Sequence, residues 1–460
     1  MPTLILLGAF LFCFWIYRQD ARTHPGATSA LWLPTLWMMR CGSRSIDAWI
    51  GGSDSARLDP VFVGVMLLLG LIALSRRPCN WGQIFGHNSA LFLFYGYLFI
   101  SVLWANTLDN PAIKILRPAG DLIMALIVAS EPDPRASILT VFRRTAILLI
   151  PVSIVLIRYF HNLGTMQDKH EGLDQWVGVT THKNPLGQLC LVSILAFFWN
   201  LADAKNTGQK LSQQRITWVY LAMSIYLMNG GGDEASRSST SILCLVIALA
   251  LFFGFGWLRR RIQVIIRTMV LCAVALGVLA LVLQFFGSSL QAVVAGSTGK
   301  DVTLSDRTYL WQDVIRIGME NPILGSGYGG FWVPSLYSRL SPIVDNHPLE
   351  AHNGYLETFA NLGGIGVGLL LIALVQAVRS GARVIRAEFE YGRLRLVLIF
   401  MVIVMNYSEA TFTVGTHLWW FSFLVVALYA RPWVAWPEEP DFYMEDVPEE
   451  ESSSFAEVPR

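Results

Sequence analysis

A chain of 460 residues that is 54% hydrophobic, 12% aromatic and only 15% charged sits far from soluble domains, where about 25% of residues are charged, and this argues against a water-soluble enzyme. Collagen-like, disordered and disulfide-scaffold classes fail on the same composition, whereas one integral membrane body accounts for the length. The formal net charge of +1 hides a division, because from Pro437 onward nine acidic residues face Arg460 alone, which leaves the excess of base in the preceding body.

In chain order, apolar runs fall near 3–17, 29–41, 58–75, 88–104, 111–130, 137–159, 185–201, 216–231, 239–258, 267–287, 354–378, 394–412 and 416–430. They lack the period-2 alternation of barrel strands, and backbone groups in lipid must pair internally, so the runs predict helices. The expected fold is all-α: a polytopic transmembrane bundle of about 12–13 helices over 1–436, including a large outward loop at 287–353, followed by a disordered acidic cytoplasmic tail at 437–460. The first run, Leu4 to Tyr17, has no basic leader and no small-residue cleavage site, so it reads as a span and not as a signal peptide. None of the six cysteines forms a CxxC or zinc pattern, which indicates neither a disulfide framework nor a thiolate metal site.

Most Lys and Arg fall in alternate loops, from Arg18 and Arg22 through Arg76 and Arg77 to Arg259, Arg260 and Arg261 and beyond. That side is expected to be cytoplasmic, with the N-terminus outside. The long connection then faces outward. Within it Leu310, Trp311, Val314 and Ile317 recur at helical spacing while Gln312, Asp313, Arg316 and Glu320 take the other face, which predicts an amphipathic helix ended by Asn321-Pro322 and lying on the outer membrane surface with Trp311 at headgroup depth.

The same topology puts Lys114, Arg117, Asp121, Arg158, His182, Lys183, Arg237, Arg307, His352, Glu357, Glu409 and His417 at or near the outer face. Ionisable residues in membrane-embedded segments are costly, so this one-sided set points to an outward polar cavity. Arg237, in the hydroxyl-rich hairpin Ser236 to Ser241, can fork onto phosphate oxygens or snorkel to a lipid headgroup. Arg307 can bring a second guanidinium to the same anion or pair locally with Asp306. His352, just before the chain re-enters the membrane, can take a proton from a sugar hydroxyl or be a structural histidine.

Asn353 suits a helix N-cap and Glu357 the favourable first turn after it. His182-Lys183-Asn184-Pro185 offers a third cation or a helix start, and Arg117 with Asp121, four apart on one face, are expected to pair. Asp345, His347, Glu350 and His352 match no standard zinc spacing, so no metal is expected. Gly325 to Gly330 lacks the strand, Lys and hydroxyl of a P-loop and reads as a mobile surface loop more readily than as a phosphate nest.

Several of these fragments, in this order, resemble the O-antigen ligase and polymerase superfamily of bacterial envelope proteins, particularly its exopolysaccharide polymerase branch. They are Leu31-Trp32-Leu33-Pro34 through Gly42-Ser43-Arg44, Thr181 to Gly187, Ser236-Arg237-Ser238-Ser239, Asp306-Arg307 with Trp311, Asn321-Pro322 through Gly325-Ser326-Gly327, and His352-Asn353 through Leu362-Gly363-Gly364. The resemblance implies a metal-independent, inverting GT-C-type glycosyltransferase in the bacterial inner membrane with its site facing the periplasm and no cofactor. Its implied substrate is an oligosaccharide on undecaprenyl diphosphate. Its implied partners are a glycan acceptor, the lipid bilayer, chain-length regulator and flippase proteins, and no nucleic acid. On this sequence the implied roles fall on Arg237 and Arg307 for the diphosphate and on His352 for the acceptor hydroxyl, with His182, Lys183, Asn353 and Glu357 in support.

The first two spans and His182-Lys183-Asn184 favour polymerase. The alternatives are a ligase that delivers the glycan to lipid A-core or protein, and a transporter of lipid-linked glycans, which would favour charged or broken helices at the midplane and internal repeats. A noncatalytic scaffold would make the outer arginines and histidine dispensable.

Overall fold

The computed structural model of the chain describes residues 2–23, 28–50, 58–77, 79–105, 111–167, 172–206, 214–257, 259–261, 305–341, 348–412 and 417–429. Its principal helices are α1 (Pro2–Thr23), α2 (Trp32–Cys41), α3 (Leu58–Ser75), α4 (Trp81–His87), α5 (Ser89–Ser101), α6 (Pro111–Ala129) and α7 (Pro134–Tyr159). They continue as α8 (Lys183–Asn206), α9 (Arg215–Met228), α10 (Ser239–Trp257), α11 (Ser305–Gly318), α12 (Gly354–Ala387), α13 (Phe389–Met405) and α14 (Leu418–Ala427). Two short antiparallel strands, Thr165–Gln167 and Asp174–Trp176, are the only sheet among the described residues.

The protein is an all-α, multi-pass membrane protein. Among the described residues six helices are long and apolar enough to cross a membrane, or seven if α4 and the segment Ser89–Trp104, bent 88° apart, form one broken span. Each apolar run of the sequence meets a helix except 267–287, which lies outside the described residues, as do Asp345, His347 and the tail from 437. The 394–412 run divides: α13 ends at Met405, and Asn406 to Phe412 form a turn.

Burial separates the helices into two kinds. Every residue of α14 is buried, and α7, α8 and α13 are nearly so, which places them at the bundle centre. By contrast α1, α3 and α10 expose Leu4, Leu11, Val61, Leu68, Leu243 and Phe253, the behaviour of helices whose outer side meets lipid tails. Among the buried charges of the bundle, Arg395, 1% exposed, donates to the carbonyls of Val426 at 2.6 Å and Ala427 at 3.1 Å. A guanidinium at the last carbonyls of α14 offsets the negative end of that helix dipole.

Inside the bundle the expected Arg117–Asp121 pair gives way to longer-range partners. Arg40 grips Asp59 with two hydrogen bonds of 3.0 and 2.7 Å, Arg117 reaches the same carboxylate at 3.4 Å, and Asp121 accepts from the Trp37 indole at 2.7 Å. Spacing along one helix gave no sign of these ties because they join α2, α3 and α6.

The outer loop is also more tightly held than its sequence suggests. The apolar stripe of α11 faces protein and not lipid: Leu310, Val314 and Ile317 pack with Phe331, Leu336, Ala351, Leu356 and Ala360, and Trp311 donates to the carbonyl of Ala351 at 2.8 Å. Asp313, assigned by pattern to the solvent face, is 4% exposed and accepts from Arg316 and from the amide of Ser341. The glycine-rich stretch is held by hydrogen bonds and is not an open anion nest. Gly325, Gly327 and Gly329 take positive φ, while the amides of Ser326, Tyr328, Gly329 and Gly330 donate to Ala360, Ser101, Asn361 and Gly327.

This stretch wedges into a break in α12. Gly363, at φ 62° and ψ −166°, interrupts the helix, and the amides of Gly364 and Ile365 donate to the carbonyls of Pro322 and Ile323. A Cβ on Gly363 would lie 2.3 Å from the Ile323 carbonyl oxygen. The variant Gly363→Ala is therefore expected to cost more than about 2 kcal/mol, visible as a lower unfolding temperature in detergent. An unchanged melting curve would mean that the wedge is not required for stability.

Candidate active site

Three elements converge on the turn that follows α13. Asn406, fully buried, accepts from the Thr411 amide at 2.9 Å and donates to Thr411 Oγ1 and the Val402 carbonyl at 2.8 Å, which fixes the turn. The amide of Gly354 at the head of α12 donates to the carbonyls of Asn406 (2.8 Å) and Glu409 (3.1 Å). Only glycine permits this approach, since a Cβ there would fall 1.9 Å from Asn406 Oδ1. From the outer loop, Arg307 in the first turns of α11 donates through Nη1 to the carbonyl of Ser408 at 2.9 Å.

His352 stands beside this turn. It is the one non-glycine residue with positive φ among the described residues, at 49°, a conformation that costs a side chain about 1–3 kcal/mol and persists where neighbours enforce it. The enforcement comes from both flanks. Asn353 caps α12, accepting from the amides of Tyr355 at 3.0 Å and Leu356 at 3.1 Å, as the sequence predicts. Ahead of it, the amide of Ala351 donates to Glu357 at 2.9 Å.

Glu357 lies where expected, in the first turn of α12, yet its job is internal. Its buried carboxylate also accepts from the Trp332 indole at 2.8 and 3.0 Å and from Asn361 at 2.8 Å, stapling the outer loop to the span. Replacing it with alanine leaves those buried donors unmatched at about 1–3 kcal/mol each. We expect Glu357→Ala to lower the unfolding temperature in detergent more than Glu357→Gln does. Equal melting curves for wild type and the alanine variant would remove the staple.

The His352 side chain is 41% exposed and its Nδ1 lies 2.9 Å from Glu350. That carboxylate raises the imidazole pKa above its ordinary value; burial and Arg307 oppose the shift and Glu409 adds to it. Glu409, 9% exposed, completes the group. Burial, then the charge of Glu350, push its carboxyl up to about 7 against the pull of Arg307, His352 and Asn184. The ligating atoms of Glu350, His352 and Glu409 all lie within 4.8 Å of one another. Arg307 lies close enough to act electrostatically on both His352 and Glu409, so the group brings two carboxyls, an imidazole and a guanidinium together.

The remaining wall is the start of α8. Asn184 donates to Glu409 at 3.3 Å, and its neighbour Lys183 donates to the carbonyl of Ala235 at 3.0 Å. Lys183 and Asn184 thus bridge the His352 group to the hairpin Asn229–Ser238 that carries Arg237. Left-handed Gly230, Gly231 and Gly232 and the Ser236–Asp233 hydrogen bond of 2.7 Å shape that hairpin. Arg237 makes one loose pair, 3.4 Å to an almost fully exposed Glu234, and its Nε has no hydrogen-bond partner among the described residues. Such a guanidinium retains donors for an anion. His182 is exposed at the rim.

Of the residues chosen from sequence, Arg307 and His352 meet around one turn, Arg237 and Lys183 lie on the adjoining hairpin contact, and Asn353 and Glu357 hold the backbone. Three partners went unassigned: Glu350, named in the sequence only as a metal candidate; Glu409, noted only as an outer-face acid; and Asn184, read only as part of a helix start.

Part of this site falls in a stretch that is similar to a known family. The O-Antigen ligase family matches residues 234–371, the stretch that holds Arg237, Arg307 and His352. The exopolysaccharide production protein ExoQ of Rhizobium meliloti (strain 1021) is 24% identical over 293 residues, an alignment that covers 62% of this chain and 63% of that relative. Residues 234–371 of this membrane protein are therefore similar to the O-antigen ligase family, and a longer part of the chain is similar to an exopolysaccharide production protein.

Proposed function

We propose that the protein is a GT-C-type membrane glycosyltransferase that polymerises oligosaccharide repeat units carried on undecaprenyl diphosphate, at the periplasmic face of the inner membrane, by an inverting and metal-independent transfer. The observation that carries the reading is the meeting of Arg307 and His352 at one turn beside the Arg237 hairpin. An imidazole and two guanidiniums are the groups this reaction needs.

In the proposed step His352 takes the proton of the acceptor hydroxyl as its O–H bond breaks. The oxygen's electron pair forms the new bond to the anomeric carbon, and the bond from that carbon to the diphosphate oxygen breaks on the opposite side. Arg307 and Arg237 receive the charge left on the diphosphate, the role that a divalent ion plays elsewhere. The 1–436 body presents the site, and the 437–460 tail is assigned no part in the chemistry. A lipid-anchored donor accounts for a site built at the heads of spans instead of in a soluble domain. Chain-length regulator and flippase proteins are the partners this role calls for.

The ExoQ relative is described as a protein of exopolysaccharide production, which favours polymerisation. The O-Antigen ligase description of the matched family supports a second reading, delivery of a finished glycan to lipid A-core or protein. One assay separates them: purified protein in detergent receives a defined lipid-linked repeat unit alone. A ladder of longer lipid-linked chains supports the polymerase, whereas products only on added lipid A-core support the ligase. Unchanged substrate under both conditions would count against transfer and favour a transporter.

A further inference from the structure

The turn that anchors Arg307 also carries a buried acid, Glu409, that lies outside the stretch matched by the family. Its surroundings come from every element of the site. Glu350 and His352 approach from the segment before α12 with ligating atoms within 4.8 Å. Arg307 acts on it from α11, and Asn184 of α8 donates to it at 3.3 Å. Glu409 lies near enough to Cys244 of α10 to act on it electrostatically, as Glu350 does on His417 at the head of α14. Few backbone routes would bury a carboxylate here without purpose, since an ionised group taken from water is costly unless paired.

We propose that Glu409 is a positioning residue for the transfer, a carboxylate placed to balance the imidazolium that forms when His352 takes the acceptor's proton. This inference rests on the proposed function and names a further participant in it. Transfer requires the neutral form of His352, with Arg307 supplying positive charge beside it. Once the proton bonds to an imidazole nitrogen the group gains a second positive charge, and Glu350 and Glu409 flank it. Glu350 lies 2.9 Å from Nδ1, and Glu409, on the clamped turn, has a carboxyl oxygen within 4.8 Å of a ring nitrogen. The tie from Ser408 to Arg307 makes the carboxylate and the diphosphate-binding guanidinium move together.

The test uses full-length wild type, Glu409→Gln, Glu409→Asp and His352→Gln in detergent, with two readouts. The first is the pH dependence of His352 modification by diethyl pyrocarbonate, located by peptide mass, which needs no turnover. Only the neutral imidazole reacts, and a nearby carboxylate favours the charged form. Removing the acid should therefore move the midpoint down by about one unit in Glu409→Gln, with Glu409→Asp restoring part of it.

The second readout is elongation of the lipid-linked repeat unit. The acid limb should shift down with the modification midpoint, kcat at high pH should fall about tenfold, and KM should stay within about twofold of wild type. A midpoint that Glu409→Gln leaves in place overturns the inference, even where His352→Gln abolishes elongation and the proposed function stands. Loss of activity in EDTA, restored by Mg2+ or Mn2+, would also overturn it by assigning the three ligating groups to a divalent ion. If wild type and His352→Gln elongate equally, the proposed function fails instead, and the modification midpoint still reports whether Glu409 acts on the imidazole.

Discussion

Replacing His352 with alanine is expected to reduce elongation of a lipid-linked repeat unit by about 10²–10⁴-fold, the range that a positioned general base contributes. The loss should appear in kcat with little change in KM, since the imidazole acts on the hydroxyl in the transition state and contributes little to holding a large lipid-linked donor. Protein insertion and unfolding temperature should stay near wild type, because alanine leaves the backbone bonds around Asn353 in place and removes no buried partner other than the Glu350 contact. His352→Asn, which tolerates the left-handed conformation, serves as the control for backbone strain. If it retains wild-type turnover, the imidazole has no chemical part.

Arg307→Ala carries the second large effect. The side chain ties α11 to the carbonyl of Ser408 and, in the proposed step, meets the diphosphate. Removing one donor aimed at developing charge typically costs about 10²–10³ in rate, and here the same change also frees the outer loop from the turn that holds Glu409. Arg307→Lys keeps the charge but loses the planar fork, so it should recover only part of the activity. The measurement is single-turnover elongation with accumulated substrate quantified beside product; full activity in Arg307→Ala would assign the diphosphate to Arg237 alone. Arg307 also opposes the rise in the His352 pKa, so its removal should move the acid limb of the pH–rate profile upward. That is the reverse of the shift expected when Glu409 loses its charge.

The sequence made legible those features that depend on local pattern. Long apolar runs became helices because nothing else satisfies a backbone in lipid. Asn353 capped α12 because the polar residue, the glycine and the following apolar face already described a helix start. The one-sided clustering of outer-face ionisable groups placed Arg307 and His352 in a set of twelve, and the resemblance to the O-antigen ligase and polymerase superfamily gave them roles; the two meet at the same turn despite their separation along the chain.

Features set by long-range packing were not legible. The α11 stripe has the same 3.6-residue period whether it meets lipid or Phe331 and Leu336, so periodicity alone selected the wrong neighbour. Arg117 and Asp121 have the spacing of a pair, but Asp59 and Trp37 on other helices take them instead. Glu409 stood at the end of an apolar run, and only the polar sequence Asn406-Tyr407-Ser408 marked the turn that brings it to His352. The staple at Glu357 joins residues 25 apart at Trp332, a distance at which sequence spacing carries no information about contact.

The wedge at Gly363 bears on how the proposed lipid-linked glycans would arrive. Because two amides of the span beyond the break are bonded to the rim of the outer segment, that rim behaves as a ledge cast in one piece with the helix below it. Raising it like a hatch would unravel a turn inside the bilayer, where stranded amides find no water. If the proposed polymerase reading holds, growing chains are expected to slide in along the ledge from its open flank, carried by lateral diffusion of their lipid tails.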